Sequence, residues 1–373
     1  MAPVPPVKRA DTAPQEHRFP CEQCGADLRF APGVTELVCP QCGHQQSIQS
    51  EVSIEDATRE LDFHTMLAKL ESTAPMEETR VTSCPNCGAQ IEFQPDIHAT
   101  ECPFCAAPVV TDTGTHRHIK PAALVPFGLD EPTARKAMTG WLGSLWFAPN
   151  GLQEYARKGR PLNGIYVPYW TYDADTRSAY TGQRGEHYYE TRTVHRNGKS
   201  ETERVQKTHW YPASGRVQRF FDDVLVLGSA SLPKQYTDGL APWNLSELRA
   251  YAPQYLAGFR AEGYQVQLET GFVEARQIMD AQIMQDVRRD IGGDVQRVSN
   301  VDTDVNDVTF KHILLPVWLA AYKYRGRTFR FVVNGQSGKV QGERPWSAWK
   351  ITFAIILALI VAGAIGTVIA MNQ

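Results

Sequence analysis

The residues of this chain best placed to do chemistry are its eight cysteines. All lie between Cys21 and Cys105, and they form one pattern written twice. The first copy opens Cys21-Glu-Gln-Cys24-Gly25 and closes Cys39-Pro40-Gln-Cys42. The second opens Cys84-Pro-Asn-Cys87-Gly88 and closes Cys102-Pro103-Phe-Cys105. Both read C-x2-C-x14-C-x2-C, with Ala26/Ala89, Phe30/Phe93 and Pro32/Pro95 at matching offsets, so the stretch is an internal duplication.

The spacing has a chemical cause. Two thiolates in a tight C-x2-C turn can face one ion, and the glycine that follows supplies the backbone freedom of the knuckle. A short hairpin over the intervening residues returns a second knuckle to the same ion. Four thiolates then close a tetrahedral site with no open position, which is a structural and not a catalytic arrangement. The expected ligands are Cys21, Cys24, Cys39 and Cys42 for one ion and Cys84, Cys87, Cys102 and Cys105 for a second. Zn2+ is the expected metal at each, although soft thiolates would also hold iron or an iron–sulfur cluster. His44 is surplus to the set and reads as a surface histidine. The Pro-rich leader lacks the apolar run of a secretory signal, so reduced, metal-bound cysteines are expected in place of disulfides.

The elements that must position these knuckles follow from the rest of the chain. The expected fold is α+β: two small rubredoxin-like zinc ribbons, a larger α+β domain with antiparallel sheets, and one C-terminal transmembrane helix. The expected boundaries are a disordered leader over 1–20, ribbons over 21–50 and 81–110, and between them a linker helix within 51–80. A polar linker is expected at 111–118, the α+β domain at 119–345 and the membrane helix at 350–370. Within the large domain, Glu131-Pro132 opens a helix with Ala134, Met138 and Leu142 on one face. Asn197-Gly198 is a hairpin turn between strands over Gly164–Leu227, and Asn334-Gly335 is another. Ala275, Met279, Ile283, Val287 and Ile291 recur every four residues, which predicts a helix stopped by Gly292-Gly293. Asn244-Leu-Ser-Glu247 offers a capping box for a further helix.

One short pattern recurs: Leu124-Val-Pro126-Phe127, Tyr166-Val-Pro168-Tyr-Trp170 and Leu314-Leu-Pro316-Val-Trp318. Two related β units joined by helices would explain it. Proline inside an apolar run predicts an edge or a first strand position.

Net charge is −3, which does not indicate a globally basic nucleic-acid binder. The ribbons are not basic either, and the second has no Lys or Arg between Cys84 and Cys105. From Ile351 to Ala370 no residue is charged, and about 1.5 Å per residue makes that run the thickness of a bilayer core. Seven Lys and Arg against one acid lie between Ala321 and Lys350, with Trp346 and Trp349 beside the apolar run. The positive-inside rule then predicts a single-pass protein of the cytoplasmic membrane with its N-terminal portion in the cytoplasm. Lipid is the expected partner of 351–370. Ala354, Ala358, Ala362, Gly366 and Ala370, spaced by four, would let a second helix approach closely.

No catalytic motif is legible. His187, His195, His209, Glu186, Asp222 and Asp223 belong to no pattern with a mechanism, and the glycine-rich turns at Gly198-Lys199-Ser200 and Gly335–Lys339 lack the residues of a phosphate loop.

The two CGA knuckles, the Tyr166–Ala174 segment (YVPYWTYDA), the Asn334–Ser347 segment (NGQSGKVQGERPWS) and the terminal apolar run together resemble a bacterial family of tail-anchored double-zinc-ribbon proteins. Members are often labelled primosomal protein N′ (replication factor Y) helicase-like, or transcription-factor-IIB-type zinc ribbon proteins. No helicase motor is present in this sequence to match the first label. Some relatives are associated with membrane-stress systems of the phage-shock and stomatin/prohibitin/flotillin types. The resemblance implies an adaptor role. With no catalytic motif legible, the expectation is a membrane-anchored cytoplasmic adaptor that docks a protein partner through its ribbons and is not an enzyme. A hydrolase hidden in the α+β domain would need one polar cleft gathering His187, His209 and Asp222. The alternative is a membrane-tethered nucleic-acid-binding ribbon protein without helicase activity.

Overall fold

The computed structural model describes residues 19–34, 36–48, 53–71, 77–83, 90–92, 99–101, 108–110, 114–145, 162–196, 199–324, 327–343 and 347–371. The architecture is α+β with antiparallel sheets. Its centre is three very long strands, Asn163–Arg196, Lys199–Leu227 and Val295–Tyr324, with the first between the other two. The first and second form the hairpin expected about Asn197-Gly198, paired from Tyr169↔Leu227 out to Arg196↔Lys199. The third runs antiparallel along the first only as far as Gly185↔Val295. Beyond that rung, among the described residues, the hairpin continues as a two-stranded arm.

The even-numbered residues Trp170, Tyr172, Ala174 and Tyr180 turn to one face of the first strand. There they meet the helix Leu268–Ile291, whose Ala275, Met279, Ile283, Val287 and Ile291 are all buried as the four-residue spacing requires. Contact is close where Gly271 meets the sheet, since a Cβ there would lie 2.5 Å from Tyr172 Oη. The helix ends at Gly292 and Gly293, both at positive φ, as glycine permits. Arg219 of the second strand grips the helix, donating from Nε and Nη2 to Asp286 at 2.5 and 2.8 Å. That guanidinium holds the Asp286 carboxyl below its usual range. Its contribution is therefore present above the unfolded carboxylate range and is lost as pH falls through the lowered value. Asp286→Asn is expected to cost about 1 kcal/mol at neutral pH, and the difference from wild type should vanish in acid urea melts.

The opposite face is apolar only at its base. Ile165, Val167 and Tyr169 pack with Ile313, Leu315, Val317 and Leu319 under a cover that carries Leu232, Leu240 and Leu248. That cover holds the Asn244–Glu247 motif, which caps only a three-residue 3-10 turn: Asn244 accepts from Ser246 N–H and donates to Glu247, and the expected helix does not follow. The helix opened by Glu131 does form, over Glu131–Ser144, capped by Asp130 accepting from Thr133 N–H.

The recurrent proline motif marks an internal repeat about a pseudo-two-fold. Tyr166 pairs with Pro316 and Pro168 with Leu314, so the two motifs lie antiparallel across Val167↔Leu315. Ala123–Leu124 pairs parallel with Ile313–Leu314 and leads into the helix Glu131–Ser144. Arg260–Ala261 pairs parallel with the equivalent Ile165–Tyr166 and leads into the helix Leu268–Ile291. Trp170 Nε1 donates to Val266 O at 2.9 Å and Trp318 Nε1 to Leu129 O at 3.0 Å, each just ahead of one of those helices. Two interlocked units, each a short strand, a helix and a long strand, thus build the domain. Neither proline stands on an outer edge strand, contrary to the simplest expectation. Pro168 O accepts from Gly228 N–H and Pro316 O from Gly335 N–H, each just past the end of the neighbouring strand. In an antiparallel ladder a residue's N and O point the same way, so each missing donor faces a place where pairing stops.

The segment expected to hold a single linker helix forms two, Ile54–Ala57 and Phe63–Glu71, separated by Leu61–Asp62, which pairs with the third long strand. Ser53 caps the first by accepting from Asp56 N–H. Further on, where a polar linker is expected at 111–118, Gly114–His118 is a strand paired with Glu77–Val81. At the other end, Ala348–Met371 is one helix, and none of Trp349–Gly366 is buried. It is long and apolar enough to cross a membrane.

Candidate functional site

The first ribbon is a three-stranded sheet, Arg29–Ala31, Glu36–Val38 and Gln45–Ser47, with its knuckles at one end. Gly25 N–H donates to Cys21 O at 2.8 Å and Gly43 N–H to Cys39 O at 3.0 Å, with both glycines near φ +73°. That geometry turns each cysteine pair inward. Cys21 Sγ lies 3.6 Å from Cys42 Sγ, and Cys24 Sγ 3.5 Å from Cys39 Sγ. All four sulfurs fall within 4.8 Å of one another, and none forms a disulfide.

These separations suit four thiolates about 2.3 Å from one central ion, whose tetrahedral edges would be about 3.8 Å. The electrostatics make the same demand. The N–H of Cys42 holds the Cys39 thiol down at about 6. Cys42 is drawn down by the N–H of His44, yet burial and the other three sulfurs push it up to about 12. Four thiols so close cannot all ionise unless a cation shares the charge. Cys21, Cys24, Cys39 and Cys42 therefore could hold a metal ion as the spacing predicts. Cys84, Cys87, Cys102 and Cys105 lie outside the described residues. His44 contributes its carbonyl, which accepts from Cys39 N–H at 2.8 Å.

The ribbon is not a free knob. Phe30 is buried edge-on to Tyr255 and Phe259, its N–H donates to Ala257 O at 2.9 Å, and Gly33 N–H donates to Phe127 O. Cys21, Leu28, Phe30, Leu37 and Cys39 share one core with Phe127, Tyr166 and Trp318 of the α+β domain. A cleft of about 410 Å³ opens along this seam, walled by Arg29, Asp130, Glu131, Arg260, Phe259 and Trp318.

The scattered polar candidates fall in two places. Glu186 pairs with His209 and His187 with Thr208 at the root of the exposed arm, where His209 stacks on Tyr188 at 4.0 Å. The side chain of His195 lies outside the described residues. Asp222 and Asp223 lie far down the same hairpin at a bend, so no one cleft gathers His187, His209 and Asp222.

At that bend the pairing of the first strand slips against both neighbours. Opposite Asp173 the second strand inserts Asp222-Asp223, and nearby the third inserts Asp307-Val308. Asp223 and Asp307 take φ near +50°, as bulges that carry aspartate allow. Lys311, also buried, reaches Asp223 at 2.8 Å and Glu60 at 3.2 Å, while Thr309 donates to Glu60 at 2.6 Å. Burial first, and then the Glu60 carboxylate, push Asp173 up to about 7; Glu60, hydrogen-bonded first to Asp173, is drawn down to about 2. Glu60, Asp173 and Lys311 escape the sequence reading. The available signal was Asp173 itself, an acid inside the apolar run Tyr166–Ala174.

No family model matches the chain, and no solved structure matches it. The chain is 25% identical over 336 residues to the uncharacterized protein YdjG of Bacillus subtilis (strain 168), which covers 89% of this chain and 91% of that protein.

Proposed function

We propose that the chain is a cytoplasmic adaptor anchored in the bacterial inner membrane by its terminal helix. In this reading it docks a protein partner through the second ribbon and the two-stranded arm, with one zinc in each ribbon. The observation that carries the reading is the platform formed by the first ribbon and the α+β domain, from which the hairpin extends past its last three-stranded rung. From Gly185 to Arg196 that extension would run on the order of 35 Å. A two-stranded hairpin gains little stability alone in water, and this one exposes Tyr189 among charges of both signs, with Tyr211 exposed just below its root. Such a surface suits recognition better than packing. The closed four-thiolate set supports a structural role for the metal, and the basic residues ahead of the apolar helix support a cytoplasmic orientation. A role in membrane stress, and membership of the double-zinc-ribbon family, rest on the resemblance in sequence.

The test is affinity purification of the full-length protein from detergent extracts. Beside it would run a variant with Cys84, Cys87, Cys102 and Cys105 changed to serine, and one with residues 187–208 replaced by a two-residue turn. A protein partner present with the wild type and reduced at least about tenfold with either variant is expected. Recovery of nucleic acid alone, released by salt, would instead favour a membrane-tethered nucleic-acid factor.

A further inference from the structure

We propose that the bend in the long sheet is a binding site for a divalent cation, held by the carboxylates of Glu60, Asp173 and Asp222. One oxygen from each lies within 4.8 Å of the others. Close approach of acids is common on surfaces, but here one of them is 2% exposed. Asp173 Oδ1 accepts from Asp223 N–H at 2.7 Å, while Oδ2 is buried and, among the described residues, meets no N–H or O–H donor other than a proton shared with the Glu60 carboxyl. A buried carboxylate oxygen left this way marks a position that an ion or a proton must complete.

Charge and symmetry both favour the ion. Glu60, Asp173, Asp222 and Asp223 meet a single ammonium among the described residues, and Lys311 spends it on Asp223 and Glu60. One pleat from Asp173 on the same face, Thr171 Oγ1 is also buried without a partner. The internal repeat provides a control within the chain. The positions equivalent to Thr171 and Asp173, counted from Trp318 as these are from Trp170, are Leu319 and Ala321. A strand at this place in the fold can therefore be apolar, and packing does not demand the acid. Asp222 is exposed and gives the ion a route from solvent. The donors are hard oxygens on a bulged, adaptable backbone, which selects Ca2+, Mn2+ or Mg2+ and not the thiophilic metal of the ribbons.

The experiment uses full-length, zinc-loaded protein in detergent, dialysed into metal-free buffer and titrated with Mn2+ while free Mn2+ is read by electron paramagnetic resonance. One Mn2+ bound per chain and displaced by Ca2+ is the expected result. Asp173→Asn and Asp222→Asn should each weaken binding by about tenfold or more. Asp222 lies at the surface, so its variant keeps the test valid if the buried substitution perturbs folding. Absence of binding up to about 10 mM in the wild type, or wild-type affinity in the Asp222 variant, would overturn the proposal. So would a wild type that binds no ion and an Asp173→Asn protein that melts higher above pH 7. That outcome would assign the position to a proton shared between Asp173 and Glu60.

Discussion

Changing Cys21 and Cys39 together to serine is expected to remove one metal equivalent and to destabilise the whole α+β domain. The ribbon has too little apolar surface to fold by itself, and structural metal in such sites contributes on the order of 10–16 kcal/mol. That is comparable to the total stability of most domains, about 5–15 kcal/mol. Without the ion the strands around Phe30 and Leu37 have no reason to hold their shape. Phe127, Tyr166 and Trp318, which share a core with them, would then be left partly uncovered. Metal analysis and urea melts of the soluble part of the chain, read by tryptophan fluorescence, are the measurements. Loss of the metal with an unchanged melt would mean that the ribbon merely rests on the domain.

Phe30→Ala separates docking from metal binding. Its ring packs edge-on to Tyr255 and Phe259 and offers no ligand atom of its own. Truncating a buried aromatic costs about 3–5 kcal/mol, through lost burial and the cavity left behind. The variant should keep its metal while its melt shifts by that amount. Metal loss equal to that of the cysteine variant would show that docking and coordination form one cooperative unit.

The cation site and the adaptor reading are independent of each other. The acids that would hold the ion stand where the sheet bends, between the ribbon-bearing base and the exposed arm. An ion there would tie the segment after the first ribbon, which carries Glu60, to the three-stranded part of the sheet, which carries Asp173 and Asp222.

Spacing alone pointed to the first cysteine cluster, which could hold a metal, because thiolate geometry is local: Gly25 and Gly43 turn the knuckles wherever the ribbon sits. Period determined the helices at Glu131 and Leu268, and the uncharged run determined the terminal one. The proline motifs pointed to a repeat. Strand character ahead of Phe310 was not legible, for a definite reason. Val298, Val301, Val305 and Val308 all join the cluster under the helix, yet they are spaced by three, four and three, the period of a helix and not the two of a strand. The pairing slips between Thr181 and Gly182 and again beside Asp173, and each extra residue flips the alternation that a sequence reader relies on. The second strand was legible as a strand over Gly164–Leu227, but its bulge was not: there the inward face passes from Phe221 to Val224. Tertiary structure decided the rest. It welded the ribbon to the domain through Phe30. It also brought Glu60, Asp173, Asp222 and Lys311 together from four separate parts of the chain, because only the paired long strands place those bulges at one level.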